Sequence, residues 1–210
     1  MLDTVETPLV LGGDCTLILG VFRALPRGCG LWFVDGHADF YDGRSSPSGE
    51  AADMDLAVVT GHGPAGLSDL APPMVPASAV ALLGHRRAED DPDVKEELGF
   101  LPPELFHLDA TAVLQQGPAA VAEEAERHVT DAADGTWLHL DLDVLDERAL
   151  PAVTYPQPAG LDWHAATAQL TPLAASPTLA GVSVADFNPD RDPDGTCATR
   201  VISLLTEMLR

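Results

Sequence analysis

A chain of 210 residues is long enough for one domain with a substantial core and too short for two large ones. Its 33 acidic residues against 11 Lys and Arg leave a net charge of −22, which excludes a nucleic-acid partner and favours metal ions or a small cationic molecule. No apolar stretch nears the ~20 residues that span a bilayer, the start MLDTVETP is no signal peptide, and Cys15, Cys29 and Cys197 form no CxxC pair, so no membrane and a reducing cytoplasm are expected.

In chain order, PLVL at 8–11 reads as a first short strand and TLILGVFRAL at 16–25 as a helix. LWFV at 31–34 is the second strand, and the Pro-rich stretch 64–78 reads as a loop over the sheet. AVALLG at 79–84 follows as a strand, and DPDVKEELGF at 91–100 opens on Asp-Pro and closes near Gly99 as a short helix does. LFHL at 105–108 is a strand, AAVAEEAERHV at 119–129 a helix, TWLHL at 136–140 a strand and WHAATAQLTPL at 163–173 a helix. AGVSVA at 180–185 closes the set of strands, and a last helix runs from about 198 to 208. The alternation predicts an α/β fold, a three-layer, doubly wound, mainly parallel sheet with helices on both faces. With no internal repeat and no linker, residues 1–210 are expected to form a single domain.

Open parallel sheets bind ligands beyond the carboxyl ends of their strands. Three such ends carry metal donors here: Asp14 and Cys15 in VLGGDC, Asp35, His37 and Asp39 in VDGHAD, and Asp141 and Asp143 in HLDLDVLD. If the backbone stays extended, residues i, i+2 and i+4 point the same way, so Asp35, His37 and Asp39 face one side, as do Asp141 and Asp143. Carboxylates and an imidazole crowded there repel one another and lose hydration unless a cation neutralises them. An Asp pair after a strand is by itself often a helix cap or a solvated turn. Three donor sets at corresponding strand ends are a much stronger sign of a divalent metal centre.

These motifs resemble those of the ureohydrolase family of arginase, agmatinase and their relatives, which carries GGDH, DAHxD and SxDxD in that order. Here they stand as Gly12-Gly13-Asp14-Cys15, Asp35-Gly36-His37-Ala38-Asp39 and His139-Leu140-Asp141-Leu142-Asp143, with Ser46-Pro47-Ser48-Gly49 and Asp186-Phe187-Asn188-Pro189 in the expected further places. The resemblance covers essentially the whole chain. It implies an arginase/deacetylase-like fold and two Mn²⁺ ions bridged by hydroxide. One ion would be held by Cys15, Asp35, Asp39 and Asp141, the other by Asp35, His37, Asp141 and Asp143. Four carboxylates balance two dications, and oxygen with imidazole donors suits Mn²⁺. Asp39 and Asp186 are the residues it assigns to catalysis, with Asp186 in the place of the family's glutamate that pairs with the guanidinium. The implied partner is a small cationic guanidino substrate such as arginine, cleaved to urea and an amine. Ser46 and Ser48 would bind a substrate carboxylate, and Glu89, Asp90 or Asp91 its ammonium. A homo-oligomer is compatible with the resemblance.

Three departures qualify that reading. Cys15 stands where the family has histidine, and thiolate prefers softer metals than Mn²⁺. Ala52 stands where arginases carry a histidine that shuttles the proton to the leaving amine, and His62 is out of register. A hydroxyguanidine is easier to attack as its neutral form, so N-hydroxy-arginine, releasing hydroxyurea and ornithine, is an alternative substrate. Only about ten residues precede the GGDC strand, so the first two strands of the family order 2-1-3-8-7-4-5-6 are missing and the remainder runs 3-8-7-4-5-6. PLVL then becomes an edge with unpaired backbone and uncovered apolar surface. A non-catalytic metal-binding relative is a further alternative. Deacetylation, also found on this fold, is disfavoured by the paired-ion residues Asp39 and Asp143.

Overall fold

The computed structural model describes residues 7–68, 73–89 and 92–210. Six strands, β1 Leu9–Leu11, β2 Cys29–Val34, β3 Val80–His85, β4 Phe106–Asp109, β5 Gly135–Asp141 and β6 Leu179–Ala185, form one sheet in the order β1-β6-β5-β2-β3-β4. Every pairing is parallel. This is the 3-8-7-4-5-6 order expected, with strand ends shifted by one or two residues.

The helices are α1 Leu17–Ala24, α2 Asp55–Val59, α3 Ala65–Ser68, α4 Pro92–Leu98, α5 Ala110–Gln116, α6 Pro118–Thr130, α7 Trp163–Ala174 and α8 Thr196–Met208. Strand residues alternate between two cores, as the period of 2 requires. Trp32 and Val34 of β2 pack with Val121, Ala125, Leu170, Leu173 and Leu204 from α6, α7 and α8. Leu31 and Phe33 pack on the opposite face with Ile18, Phe22, Leu56 and Val59 from α1 and α2. Burial on both faces is why the strands read as continuous apolar runs. Trp137 of β5 lies against Gly181 of β6, where an added Cβ would come within 2.2 Å of its ring. At the far edge β1 pairs, among the described strands, with β6 alone, and Leu9 and Leu11 are 42% and 67% exposed, as expected of an edge strand.

Two helices lie outside the periodic pattern. α5 starts on Asp109, whose carboxylate accepts the Ala112 N–H at 2.8 Å, and it stops at Gly117 (φ 96°) before Pro118 opens α6. With seven residues it is too short to display a helical repeat. The five residues of α2 are all buried, so they show no polar face. The stretch 64–78 is not wholly loop: α3 gives it one helical turn, and Ala77–Ala79 another of 3-10 type.

Candidate metal centre

Leu11, Val184, Leu140 and Val34 lie in one row across the four adjacent strands β1, β6, β5 and β2. Just past that row the chains end their strands together, and the next residues are Gly12, Ala185, Asp141 and Asp35. Donors from four separate segments therefore open into one crevice.

Within the crevice the backbone does not stay extended, contrary to the expectation from alternation. β2 ends at Val34, and the Asp35 carboxylate accepts the His37 N–H at 2.7 Å, closing a tight turn. Asp141 likewise accepts the Asp143 N–H at 2.6 Å and starts a 3-10 turn at Leu142–Val144. Asp side chains that bond their own backbone two residues on make such turns. Asp39 (φ 48°) and Asp186 (φ 65°) adopt left-handed backbone, which costs non-glycine residues on the order of 1–3 kcal/mol and is met mostly at functional sites. Gly36 allows the closest approach. A Cβ there would fall 2.7 Å from Asp143 Oδ1 and 2.8 Å from the Asp143 carbonyl.

All six predicted ligand residues meet. His37 Nδ1 lies 2.9 Å from Asp143 Oδ2 and 3.8 Å from Asp35 Oδ1. Cys15 Sγ donates to Asp141 Oδ2 at 2.6 Å and lies 3.7 Å from Asp35 Oδ2. Donor atoms of Asp35, His37 and Asp39 lie within 4.8 Å of one another, as do those of Asp35, Asp141 and Asp143. Asp35 and Asp141 sit close enough to share ions.

Burial, and then their mutual repulsion, pushes Asp35, Asp39 and Asp141 well above the usual carboxylate range. Burial also raises the Cys15 thiol, with Asp141 adding to it. Against its own burial, Asp143 lifts His37 to about 9, and His37 in turn holds Asp143 below its ordinary value despite burial. The nearest guanidinium, Arg86, directs its donors to the backbone carbonyls of Asp143, Leu145, Gln157 and Pro158. A buried, carboxylate-rich cluster with one imidazole and little cationic compensation suits hard divalent cations.

The charge balance makes stability depend on pH in a definite direction. A carboxyl whose folded pKa lies above its unfolded 3.8 stabilises fully below 3.8 and loses that contribution as pH climbs through the folded value. His37, raised from 6.5 to about 9, adds stability that is complete below 6.5 and lost through about 9. Asp143 alone in the cluster works the other way. The metal-free protein is therefore expected to melt at a lower temperature near pH 8 than near pH 5.5. Millimolar Mn²⁺ should raise the melting temperature more at the higher pH, where fewer protons must be displaced. Melting curves with chelator and with Mn²⁺ at the two pH values check this, and a larger metal effect at the acidic pH would contradict it.

Above the cluster opens a cavity of about 740 Å³. Its described lining adds Asp14, Glu50, Asp53, Asp93, Glu97 and Asp186 to the cluster and includes no Lys or Arg. Asp186 accepts the Thr154 N–H at 3.0 and 3.2 Å through its two oxygens, and burial raises its pKa. Ser48 lines the cavity, but both it and Ser46 donate their hydroxyls to Asp53 Oδ2, at 2.5 and 2.7 Å. Glu89 is exposed, pairs with Arg87 at 3.3 Å and is not among the described lining residues. Asp90 and Asp91 lie outside the described residues. Ala52 does line the cavity, whereas His62 rests against Phe40 with ring centroids 5.5 Å apart.

The family model described as "Arginase family" matches residues 1–210. The chain belongs to the arginase family. It is 30% identical over 207 residues to the arginase of Brevibacillus brevis, an alignment covering 96% of this chain and 68% of that protein. Solved arginases of Bacillus cereus (TM-score 0.81, 27% identity) and Bacillus subtilis (TM-score 0.83, 25% identity) share the fold over 97% and 99% of this chain and 71% of each of theirs. The chain thus spans about two thirds of the length of these relatives. Membership makes it a metal-dependent hydrolase of the ureohydrolase type.

Within this arginase-family site two further buried residues stand beside the ligand cluster, neither of them assigned a role from the sequence. Asp55, at the start of α2, has a donor atom within 4.8 Å of those of Cys15 and Asp39. His139 of β5 lies equally near Cys15 and Asp35, stacks on Phe33 at 5.0 Å and bonds Ser183 Oγ through Nδ1 at 2.7 Å. His139 was already visible two residues before Asp141, on the same face of its strand. For Asp55 the one local sign was a carboxylate inside the apolar run MDLAVV. Among the described residues no helix is long and apolar enough to cross a membrane.

Proposed function

We propose that residues 1–210 act as one amidinohydrolase unit holding two Mn²⁺ ions, which cleaves the guanidino C–N bond of arginine or a related compound to urea and an amine. The observation that carries this reading is the meeting of Cys15, Asp35, His37, Asp39, Asp141 and Asp143 below an acidic cavity whose described lining has no Lys or Arg. Bound in such a cluster, a pair of divalent ions acidifies water to a nucleophile at neutral pH.

The protein's own residues do the rest. Asp35 adjoins His37, Asp39, Asp141 and Asp143, and Asp141 adjoins both Cys15 and Asp143, so these two carboxylates would hold the two ions together. His37 is neutral when it serves as a ligand, and Asp143 then orients its ring. The acidic walls draw in a cation, and Asp186 offers carboxylate oxygens to the guanidinium. Its bonds to Thr154 keep those oxygens in place. Ser48 can turn from Asp53 to a substrate carboxylate at the mouth.

Ala52 favours a second substrate. With no imidazole at that point of the wall, an alkyl amine leaves without its proton donor, and N-hydroxy-arginine, which is less basic, is the better candidate. Incubating the Mn²⁺-loaded protein with arginine, agmatine and N-hydroxy-arginine, and assaying urea and hydroxyurea, separates the readings. Urea from arginine or agmatine is the expected result, and hydroxyurea from N-hydroxy-arginine well in excess of urea would support the second reading. Neither product, from protein shown to carry two ions, would leave a non-catalytic metal-binding relative instead.

A further inference from the structure

We infer that Asp55 is itself a metal ligand, binding the ion on the Cys15–Asp39 side of the centre. This rests on the two-ion reading above and adds a donor that the family motifs do not contain. Asp55 is fully buried, yet neither carboxylate oxygen has a hydrogen-bond partner. The adjacent Leu56 N–H eases its charge only in part. Leaving a buried carboxyl without a partner is costly even when it is neutral, and more so when it is ionised. Folded proteins keep such groups where something absent from the bare chain satisfies them.

Position says what that something is. A donor atom of Asp55 lies within 4.8 Å of Cys15 Sγ and an Asp39 oxygen, and these three can surround one ion. Asp39 also faces Asp35 and His37, so the group adjoins the main cluster. Among the described residues no ion pair reaches Asp55, and the charges that act on it most are the carboxyls of Asp141, Asp14 and Asp53. A dication is the partner this arrangement lacks.

Ligand chemistry explains why this chain needs it. The imidazole that the family places at position 15 is replaced by a thiol, which donates to Asp141 instead of standing open as a lone pair. An oxygen from Asp55 restores a hard donor to that ion and keeps the site suited to Mn²⁺ rather than to a softer metal. Asp55 would then be the fifth carboxylate of the centre, beside Asp35, Asp39, Asp141 and Asp143.

The test compares wild-type protein with Asp55→Asn, an isosteric change that removes the charge. Bound Mn²⁺ is counted by elemental analysis and titrated by calorimetry, and melting is followed in chelator. Asp55→Asn should melt higher than wild type without metal, because a repelling carboxyl is gone. It should lose one ion per chain, or bind it more than ~100-fold more weakly, beyond the ~10–100-fold that outer partners of ligands cost. Two ions bound with unchanged affinity would overturn the assignment while leaving the two-ion reading intact. No ion on wild-type protein would overturn both. Anomalous diffraction from Mn²⁺-soaked wild-type crystals decides without any variant: an ion must lie within coordination distance of an Asp55 oxygen.

Discussion

Asp141→Asn is expected to lower amidinohydrolysis by on the order of 10³-fold or more, about 4 kcal/mol of transition-state stabilisation. Asp141 ties the Cys15 side of the centre to the Asp143 side. One oxygen accepts the Cys15 thiol and the other the Asp143 N–H, and the carboxylate adjoins both Asp35 and Asp143. Asparagine keeps an oxygen for the Asp143 N–H, so the turn and the fold survive. What disappears is a negative charge shared between two cation positions, together with one lone-pair face. The kcat/KM of the Mn²⁺-loaded variant and its metal content are the measurements. Turnover within tenfold of wild type at full metal loading would remove Asp141 from the bridging role.

Trp137→Ala should destabilise the protein by about 3–5 kcal/mol, a large share of the roughly 5–15 kcal/mol that holds a typical domain folded. Trp137 is fully buried in the central strand β5, and Gly181 on β6 is bare so that the ring can lie against it. The flanking strands are held in register by backbone pairing, which opposes their closing over the void left by truncation. The indole N–H also donates to Ser183 Oγ at 2.8 Å, and Ser183 in turn meets His139 beneath the metal centre. Loss of the ring therefore loosens the crevice floor as well as the core. Chemical denaturation of the metal-free protein measures the effect, and a loss under 1 kcal/mol would mean that the sheet closes over the gap.

The two experiments probe different layers of the same design. Fold stability comes from apolar faces above and below the sheet, while the crevice is assembled from charges that oppose folding until a cation arrives. Both layers meet at the row Leu11, Val184, Leu140 and Val34. Below it the residues of β2 and β5 pack, and beyond it Asp35 and Asp141 present their carboxylates.

Much of this was legible in the chain itself. Continuous apolar runs such as LWFV and TWLHL mark strands buried on both faces, a local signal that needs no knowledge of neighbours. The motifs around Cys15, Asp35 and Asp141 sit at strand ends, and parallel topology sends those ends to one side, so their meeting followed from order alone. Tertiary structure decided what depends on contacts between distant segments. Only packing of α2 under the sheet brings Asp55 beside Cys15, forty residues earlier in the chain (55 − 15 = 40). Only the path of the chain after β3 leaves Glu89 with Arg87 in solvent, away from the cavity its charge seemed to suit. The turns at Asp35 and Asp141 likewise replaced an extended backbone, because a side-chain oxygen bonded the N–H two residues on before any strand could claim it. Residue type and strand order determine which donors share a crevice; the distances among them are set by turns and packing that no short stretch of sequence contains.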